Sequence, residues 1–174
     1  MNLKSLVERS FTIDPRALIV FRCSIALLVL CDVVMRFPDA AALYSDDGSL
    51  SVALLKSQIL RPHEWSLYFL NGSGHWSRFL LMLTGLCAMT LMTGYRARLF
   101  TLLCWVLLIS IQVRNPLVLD GGDDYLRLLL FWSLFLPAEQ QKQMSVPGSC
   151  LLLQVVSIYF FCALLKLNIP EWRP

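Results

Sequence analysis

The feature that most constrains this chain is a set of long apolar blocks separated by shorter polar segments. Five such blocks run over about residues 17–35, 79–93, 99–113, 125–136 and 150–167. The first, about nineteen residues at 1.5 Å each, matches a hydrocarbon core of ~30 Å. An open sheet edge cannot face lipid, and the blocks are too few and too uniform for a barrel. The sequence therefore predicts an all-α, polytopic membrane helical bundle of about four or five transmembrane helices, since the fourth block is short.

Composition agrees with this class and excludes others. Hydrophobic residues make up 57 % of the 174 residues and charged residues 16 %, against roughly 45–50 % and about 25 % in soluble domains. The net charge of +3 is too small for a nucleic-acid partner. The six cysteines lie in or beside apolar blocks without a CxxC pair, so we interpret them as thiols that pack as small hydrophobes and expect no metal. We expect a single domain that is integral to the membrane.

Helix signals divide the chain further. Asp14-Pro15 is typical of a helix start and Phe37-Pro38 of a helix end. The link 94–98 predicts a tight turn between antiparallel helices. Within the polar loop 36–78, two short helices are expected, over about 51–60 and 63–69.

Basic residues in the loops are shared equally between the two sides of a five-span bundle. Arg96 and Arg98 crowd a very short link, which favours a cytoplasmic N-terminus. In this topology the first loop, the third loop and the end of the fifth helix share one side. That side carries both histidines and eight of the twelve acidic residues. We therefore expect any active site on that face.

Several charged residues lie within the apolar blocks. Such groups are costly in lipid and usually face the bundle interior, paired or hydrated. Asp32 and Arg36 are four residues apart and can pair on one helix. Arg22 lies near a helix start, so extension of its side chain to the interface is an alternative. For Arg22, Asp32 and Arg127 we favour structural roles.

Lys166 lies near the end of the fifth block, among leucines. Loss of hydration favours a neutral amine, which can act as a general base or a nucleophile. The alternative, a lysine that extends from a helix end to the interface, is more frequent. His63 and His75 have no companions at metal-ligand spacing.

The order of these features resembles that of a known family. The first block, with Arg22, Asp32 and Arg36, followed by Tyr44-Ser45-Asp46-Asp47-Gly48, resembles the start of an HTTM domain, the membrane domain shared with vitamin K-dependent gamma-carboxylases. Arg114-Asn115 and then Gly122-Asp123-Asp124-Tyr125-Leu126-Arg127 resemble its central loop and next helix. The segment 158–167, closing in Glu171-Trp172, resembles the stretch that bears the carboxylase's catalytic lysine. The resemblance covers nearly the whole chain.

The resemblance implies oxidation of vitamin K hydroquinone by oxygen, coupled to carboxylation of protein glutamates, with vitamin K hydroquinone or a related quinone as the cofactor. It implies that Lys166 is the base and Asp123 a second catalytic residue. We expect Arg114, Asn115, Asp46 and His63 to bind substrate, with no metal. Animal carboxylases carry a histidine where this chain has Gly122-Asp123-Asp124. They also continue well past the lysine, so we expect either a fragment or a reduced relative.

Two hypotheses follow. In the first, the chain is a membrane oxidoreductase–carboxylase or a derivative that acts on a quinone-like lipid, with a protein substrate as a further partner. In the second, it is a non-catalytic membrane module that binds lipid or a partner protein. A small transporter is less favoured because no inverted repeat is visible.

Overall fold

The first long helix shows how the sequence sets the ends of each element. In a computed structural model that describes residues 12–61, 63–136, 143–144 and 146–168, helix α1 spans Pro15–Arg36. The Asp14 side chain accepts a hydrogen bond from the Arg16 amide, and Pro15 occupies the first helical position, where no amide donor is needed. The start and end signals at residues 14–15 and 37–38 are therefore confirmed.

The remaining elements follow in chain order. The helices are α2 (Ala40–Tyr44), α3 (Val52–Gln58), α4 (Gly74–Thr93), α5 (Ala97–Arg114), α6 (Gly121–Leu134) and α7 (Val146–Asn168). Two 3₁₀ turns span Leu67–Leu70 and Pro116–Val118. Thr12–Ile13 (β1) and Gln143–Met144 (β2) form a two-residue antiparallel pair. The structure confirms the all-α bundle and the short helix within 51–60, whereas the segment 63–69 gives only the first 3₁₀ turn.

The core lies between α1, α4, α5 and α6. Small residues allow α1 and α4 to approach closely, as is common between membrane helices. Ala26 and Ala88 are fully buried, and a Cβ on Gly85 would lie 3.6 Å from Val33 Cγ1. The tight turn after α4 is confirmed, with Gly94 at φ 78° and Arg96 at φ 40°.

Four helices, α1, α4, α5 and α7, are long and apolar enough to cross a membrane, which suggests an integral, multi-pass membrane protein. The fourth apolar block forms α6, whose 14 residues extend only about 21 Å. Nevertheless, α6 runs between the two ends of the bundle. Its first turn contacts Arg36 at the end of α1, and Ser133 near its last turn lines a cavity with Leu18 near the start of α1.

Helix α7 is the most peripheral of the long helices. The β1–β2 pair places the start of α7 beside the start of α1, and α7 packs mainly on α6. None of the residues in its most apolar 18-residue window is buried. The helix therefore completes the bundle without entering its core.

Candidate functional site

The two ends of the bundle differ in the charged side chains that they carry. The groove end is formed by the end of α1, by α2, by the end of α5 and by the start of α6. The hairpin end is formed by the start of α1, the turn at Gly94–Arg96 and the end of α6. Asp32, Asp46 and Asp123 belong to the groove end, and Arg22, Arg96 and Arg98 belong to the hairpin end. The sequence expectation that the first and third loops share one side is met by the contact between Arg36 and Asp123.

Side chains from α4 and α5 fix the position of α2. Helix ends leave carbonyl groups without intrahelical partners. Here the Asn115 amide donates to the Leu43 carbonyl at 2.9 Å, Ser77 Oγ to the Tyr44 carbonyl at 2.9 Å, and Arg114 Nη2 to the Ser45 carbonyl at 2.7 Å. Three consecutive carbonyls of α2 and its cap are therefore held by the bundle, which sets the position of the Tyr44 side chain.

Arg36 is the centre of the polar cluster at the groove end. Its Nε donates to Asp32 Oδ1 at 2.7 Å, its Nη1 to the Tyr44 hydroxyl at 2.7 Å, and its Nη2 to Asp123 Oδ1. The Arg36 and Asp123 side chains are only 13 % and 6 % exposed. A guanidinium has the fixed planar donors that suit several acceptors at once. The i,i+4 pair predicted for Asp32 and Arg36 is confirmed, and the cluster links α1, α2 and α6.

Arg114 and Asp46 form a second contact nearby. Arg114 is fully buried, and its Nη2 lies 3.3 Å from Asp46 Oδ1. The same carboxylate oxygen accepts at 3.0 Å from the amide of Val52, the first residue of α3. The structure thus brings Asp46, Arg114 and Asn115 together and uses them to attach the first loop to α5. Direct binding of a substrate by these residues stays a prediction.

An open cavity of about 540 Å³ lies between α1 and α6 at the groove end. We call it the α1–α6 groove. Its walls are mainly apolar, and its charged lining residues are Asp32, Arg36, Asp120 and Asp123. The apolar lining residues are Leu28, Cys31, Met35, Leu43, Val118, Leu126 and Leu129. Leu28 and Met35 are 51 % and 78 % exposed, so the groove opens on the outer surface of α1.

Burial also affects two tyrosines of the first loop. Tyr44 and Tyr68 are each 1 % exposed, with ring centroids 6.0 Å apart. Burial raises the pKa of both hydroxyls above the usual value, although the Arg36 guanidinium opposes part of the rise for Tyr44. At neutral pH both hydroxyls therefore keep their protons, and Tyr44 accepts from Arg36 as a neutral group.

The other two predicted site residues are exposed. Lys166 is exposed in the last turn of α7, two turns beyond Tyr159, which is near Tyr125 at the start of α6. His63 is exposed in the first loop. Neither residue is among those that line the groove within the described part of the chain. Their catalytic and binding roles stay predictions.

No group of three or more potential metal ligands occurs within residues 12–61, 63–136, 143–144 and 146–168. The cysteines described there are free thiols, of which Cys87 and Cys104 are buried and Cys31 and Cys162 exposed. The interpretation as packing residues therefore fits the two core cysteines, whereas Cys31 lines the groove.

Arg36 and Tyr44 were not among the site residues predicted from the sequence. The signal for Arg36 was present, because an arginine at the end of an apolar helix, one turn after an aspartate, is costly unless it is paired. Tyr44 carries no such signal, because its role depends on contacts with residues that are distant in the chain. No protein-family model, curated protein or solved structure matches this chain.

Proposed function

We propose that this membrane protein binds an amphipathic, quinone-like lipid in the α1–α6 groove. The observation that carries the proposal is the groove itself, which joins apolar walls that open to the outer surface with one polar, hydrogen-bonded end. Its volume of about 540 Å³ falls within the roughly 300–1,000 Å³ typical of small-molecule sites. A hydrophobic tail would lie along Leu28 and Met35, and a polar head would face Asp32 and Asp123.

The chemistry of the polar end favours a head group that donates hydrogen bonds. Asp32 offers carboxylate oxygens at the groove, whereas three donor nitrogens of Arg36 are engaged with Asp32, Tyr44 and Asp123. A hydroquinone carries two hydroxyl donors, and ionised carboxylates are strong acceptors. These residues therefore fit a hydroquinone head.

The resemblance to the HTTM domain of gamma-carboxylases extends the proposal to catalysis. By that resemblance, a bound hydroquinone would supply, on oxidation by oxygen, the strong base that removes a gamma proton from glutamate before carbon dioxide adds. In this chain Lys166 is the proposed general base and Asp123 the proposed second catalytic residue. Helix α7 starts at the hairpin end and passes the start of α6 near Tyr125, which directs its last turn toward the groove end. A cytoplasmic N-terminus, from Arg96 and Arg98, belongs to the same proposal.

Binding is tested on the full chain in neutral detergent, without oxygen, using a naphthohydroquinone with a short isoprenoid tail. At 100 times its Kd such a probe should stabilise the fold by about 2.7 kcal/mol. Met35→Trp should reduce this effect by filling the groove from an exposed position. Met89→Trp is the matched control, since Met89 is 49 % exposed on α4 and does not line the groove. No stabilisation of the wild-type protein, or equal loss in both variants, would refute the groove as the binding site.

Catalysis is tested by incorporation of labelled carbon dioxide into a glutamate-containing peptide, with the same hydroquinone and with oxygen supplied. Lys166→Ala should abolish turnover without unfolding the protein, because Lys166 is exposed. Lys166→Arg should also be inactive, because a guanidinium keeps its proton. Full activity in Lys166→Arg would exclude Lys166 as the base.

A second candidate is a non-catalytic module that packs against a partner in the membrane. It is favoured by α7, on which Tyr159, Phe160 and Phe161 are 74 %, 58 % and 60 % exposed. Loss of folding rather than turnover in Lys166→Ala would favour this candidate over catalysis.

A further inference from the structure

A second cavity, at the hairpin end, has chemistry opposite to that of the groove. It measures about 30 Å³ and lies between the start of α1, the α4–α5 turn and the end of α6. Two arginines line it, Arg22 from α1 and Arg98 from α5, together with Thr101 and Ser133. We infer that this cavity binds the phosphate of an anionic phospholipid.

The two arginines of the cavity have no counter-charge within the part of the chain that the structure describes. Within the described part of the chain, the side chain of neither Arg22 nor Arg98 forms an ion pair or donates a hydrogen bond. Arg22 lies inside a helix that is apolar enough to span a membrane, where a cation without a counter-charge is costly. A phosphate at the cavity mouth supplies that counter-charge, and guanidinium groups bind phosphate oxygens with paired donors.

The size and walls of the cavity identify the source of the phosphate. About 30 Å³ accommodates roughly two water-sized groups, so phosphate oxygens enter while the remaining head group stays at the mouth. Leu18, Phe21, Ile25, Leu91 and Leu136 form the apolar part of the lining. Apolar walls next to a pair of cations fit a lipid whose acyl chains continue along the bundle, and basic pockets between membrane helices are known to hold anionic head groups.

The α4–α5 turn contributes to the same cationic site. Arg22 Nη1 is 3.2 Å from the position that a Cβ on Gly94 would occupy, so the guanidinium lies against the turn backbone. Arg96 extends the basic surface on this turn, with its guanidinium carbon 5.8 Å from the centroid of the Tyr95 ring. The cavity and the turn therefore form one cationic surface at the hairpin end.

The test is retention of lipid by the full chain in neutral detergent, measured by native mass spectrometry. Phosphatidylglycerol is the probe, with phosphatidylcholine and inorganic phosphate as comparisons. The wild-type protein should retain phosphatidylglycerol more strongly than phosphatidylcholine. The double variant R22Q/R98Q should weaken that retention by about thirtyfold. The double variant R61Q/R78Q removes the same charge from exposed positions outside the cavity and should leave retention unchanged.

Arg98 is exposed, so R98Q alone keeps the test valid if the double variant fails to fold. This single variant should weaken retention by about fivefold. Equal retention of phosphatidylcholine, or equal loss in R61Q/R78Q, would overturn the site. Equally strong retention of inorganic phosphate would overturn the lipid as the source of the phosphate.

Discussion

The groove end and the hairpin end of this bundle both carry arginines beside apolar side chains, but the hydrogen-bond partners of these arginines differ. At the groove end, Arg36 has acceptors on α1, α2 and α6. At the hairpin end, Arg22 and Arg98 line a cavity and have no carboxylate partner in the part of the chain that the structure describes. A paired arginine fixes the position of helices, whereas an arginine without a partner in the protein is available to a ligand. Arginine therefore has a structural role at the groove end and the proposed binding role at the hairpin end.

The largest expected effect is that of Arg36→Ala at the groove end. The change leaves Asp32 and Asp123 without their shared cation, and breaking a buried ion pair costs about 3–5 kcal/mol. The measurement is unfolding by a denaturing detergent titrated into neutral micelles. Arg127→Ala is the control, because its pair with Asp124 is 37 % and 62 % exposed and such pairs contribute about 0–1 kcal/mol. Equal losses in the two variants would contradict a structural role for the Arg36 cluster.

Arg114 provides the next effect. Arg114→Ala removes the donors to Ser45 and Asp46 and leaves a cavity, so the free energy of unfolding should fall by about 2–4 kcal/mol. Arg114→Met fills the volume and should cost less. Among the described residues, Nε and Nη1 of Arg114 have no hydrogen-bond partner. Both substitutions therefore also remove two unsatisfied donors. If Met were as costly as Ala in the same unfolding titration, the charge rather than the packing would carry the effect.

At the hairpin end, backbone conformation should matter more than charge. Gly94→Ala places a Cβ on a residue with φ of 78° and should lower the free energy of unfolding by about 1 kcal/mol. Arg96→Gly relieves a non-glycine residue at φ 40° and should leave stability unchanged or raise it by up to about 0.5 kcal/mol. Thermal unfolding of both variants checks these effects, and a clear loss of stability in Arg96→Gly would contradict the prediction.

The smallest expected effect concerns the arginines of the hairpin cavity. In neutral micelles without anionic lipid, R22Q/R98Q should change the free energy of unfolding by less than about 0.5 kcal/mol, because no protein partner is lost. Unfolding titrations with and without phosphatidylglycerol provide the check. A loss comparable to that of Arg36→Ala without lipid would remove the distinction between the two ends.

Much of the fold was predictable because the signals are local. The apolar blocks predicted the long helices, and Asp14-Pro15 predicted the start of α1. The four-residue spacing predicted the Asp32–Arg36 pair. The block boundaries were less accurate. Helix α4 begins at Gly74 rather than near residue 79, because the Ser73 side chain caps a polar first turn that carries no hydrophobic signal. Helix α7 likewise begins at Val146 rather than near residue 150.

The candidate site was only partly predictable, because it depends on contacts between distant residues. The sequence indicated that Asp46, Arg114 and Asp123 share one end of the bundle. It could not show that Asn115 and Arg114 bind carbonyls at the end of α2, or that this directs Tyr44 to Arg36. Arg36 and Asp123 are 87 residues apart, and the groove depends on how α6 packs against α1.

Asp123 carries a consequence for how occupancy of the groove can be observed. Its Oδ1 accepts from Arg36, while its Oδ2 accepts from the Asp120 amide at 3.1 Å and completes the capping box of α6. A head group that draws Oδ1 of Asp123 away from Arg36 must also move Oδ2 of the same carboxylate, which accepts the hydrogen bond from the Asp120 amide. Hydrogen exchange at the Asp120 amide is therefore a local reporter of events in the groove, readable without any turnover and without a label on the ligand.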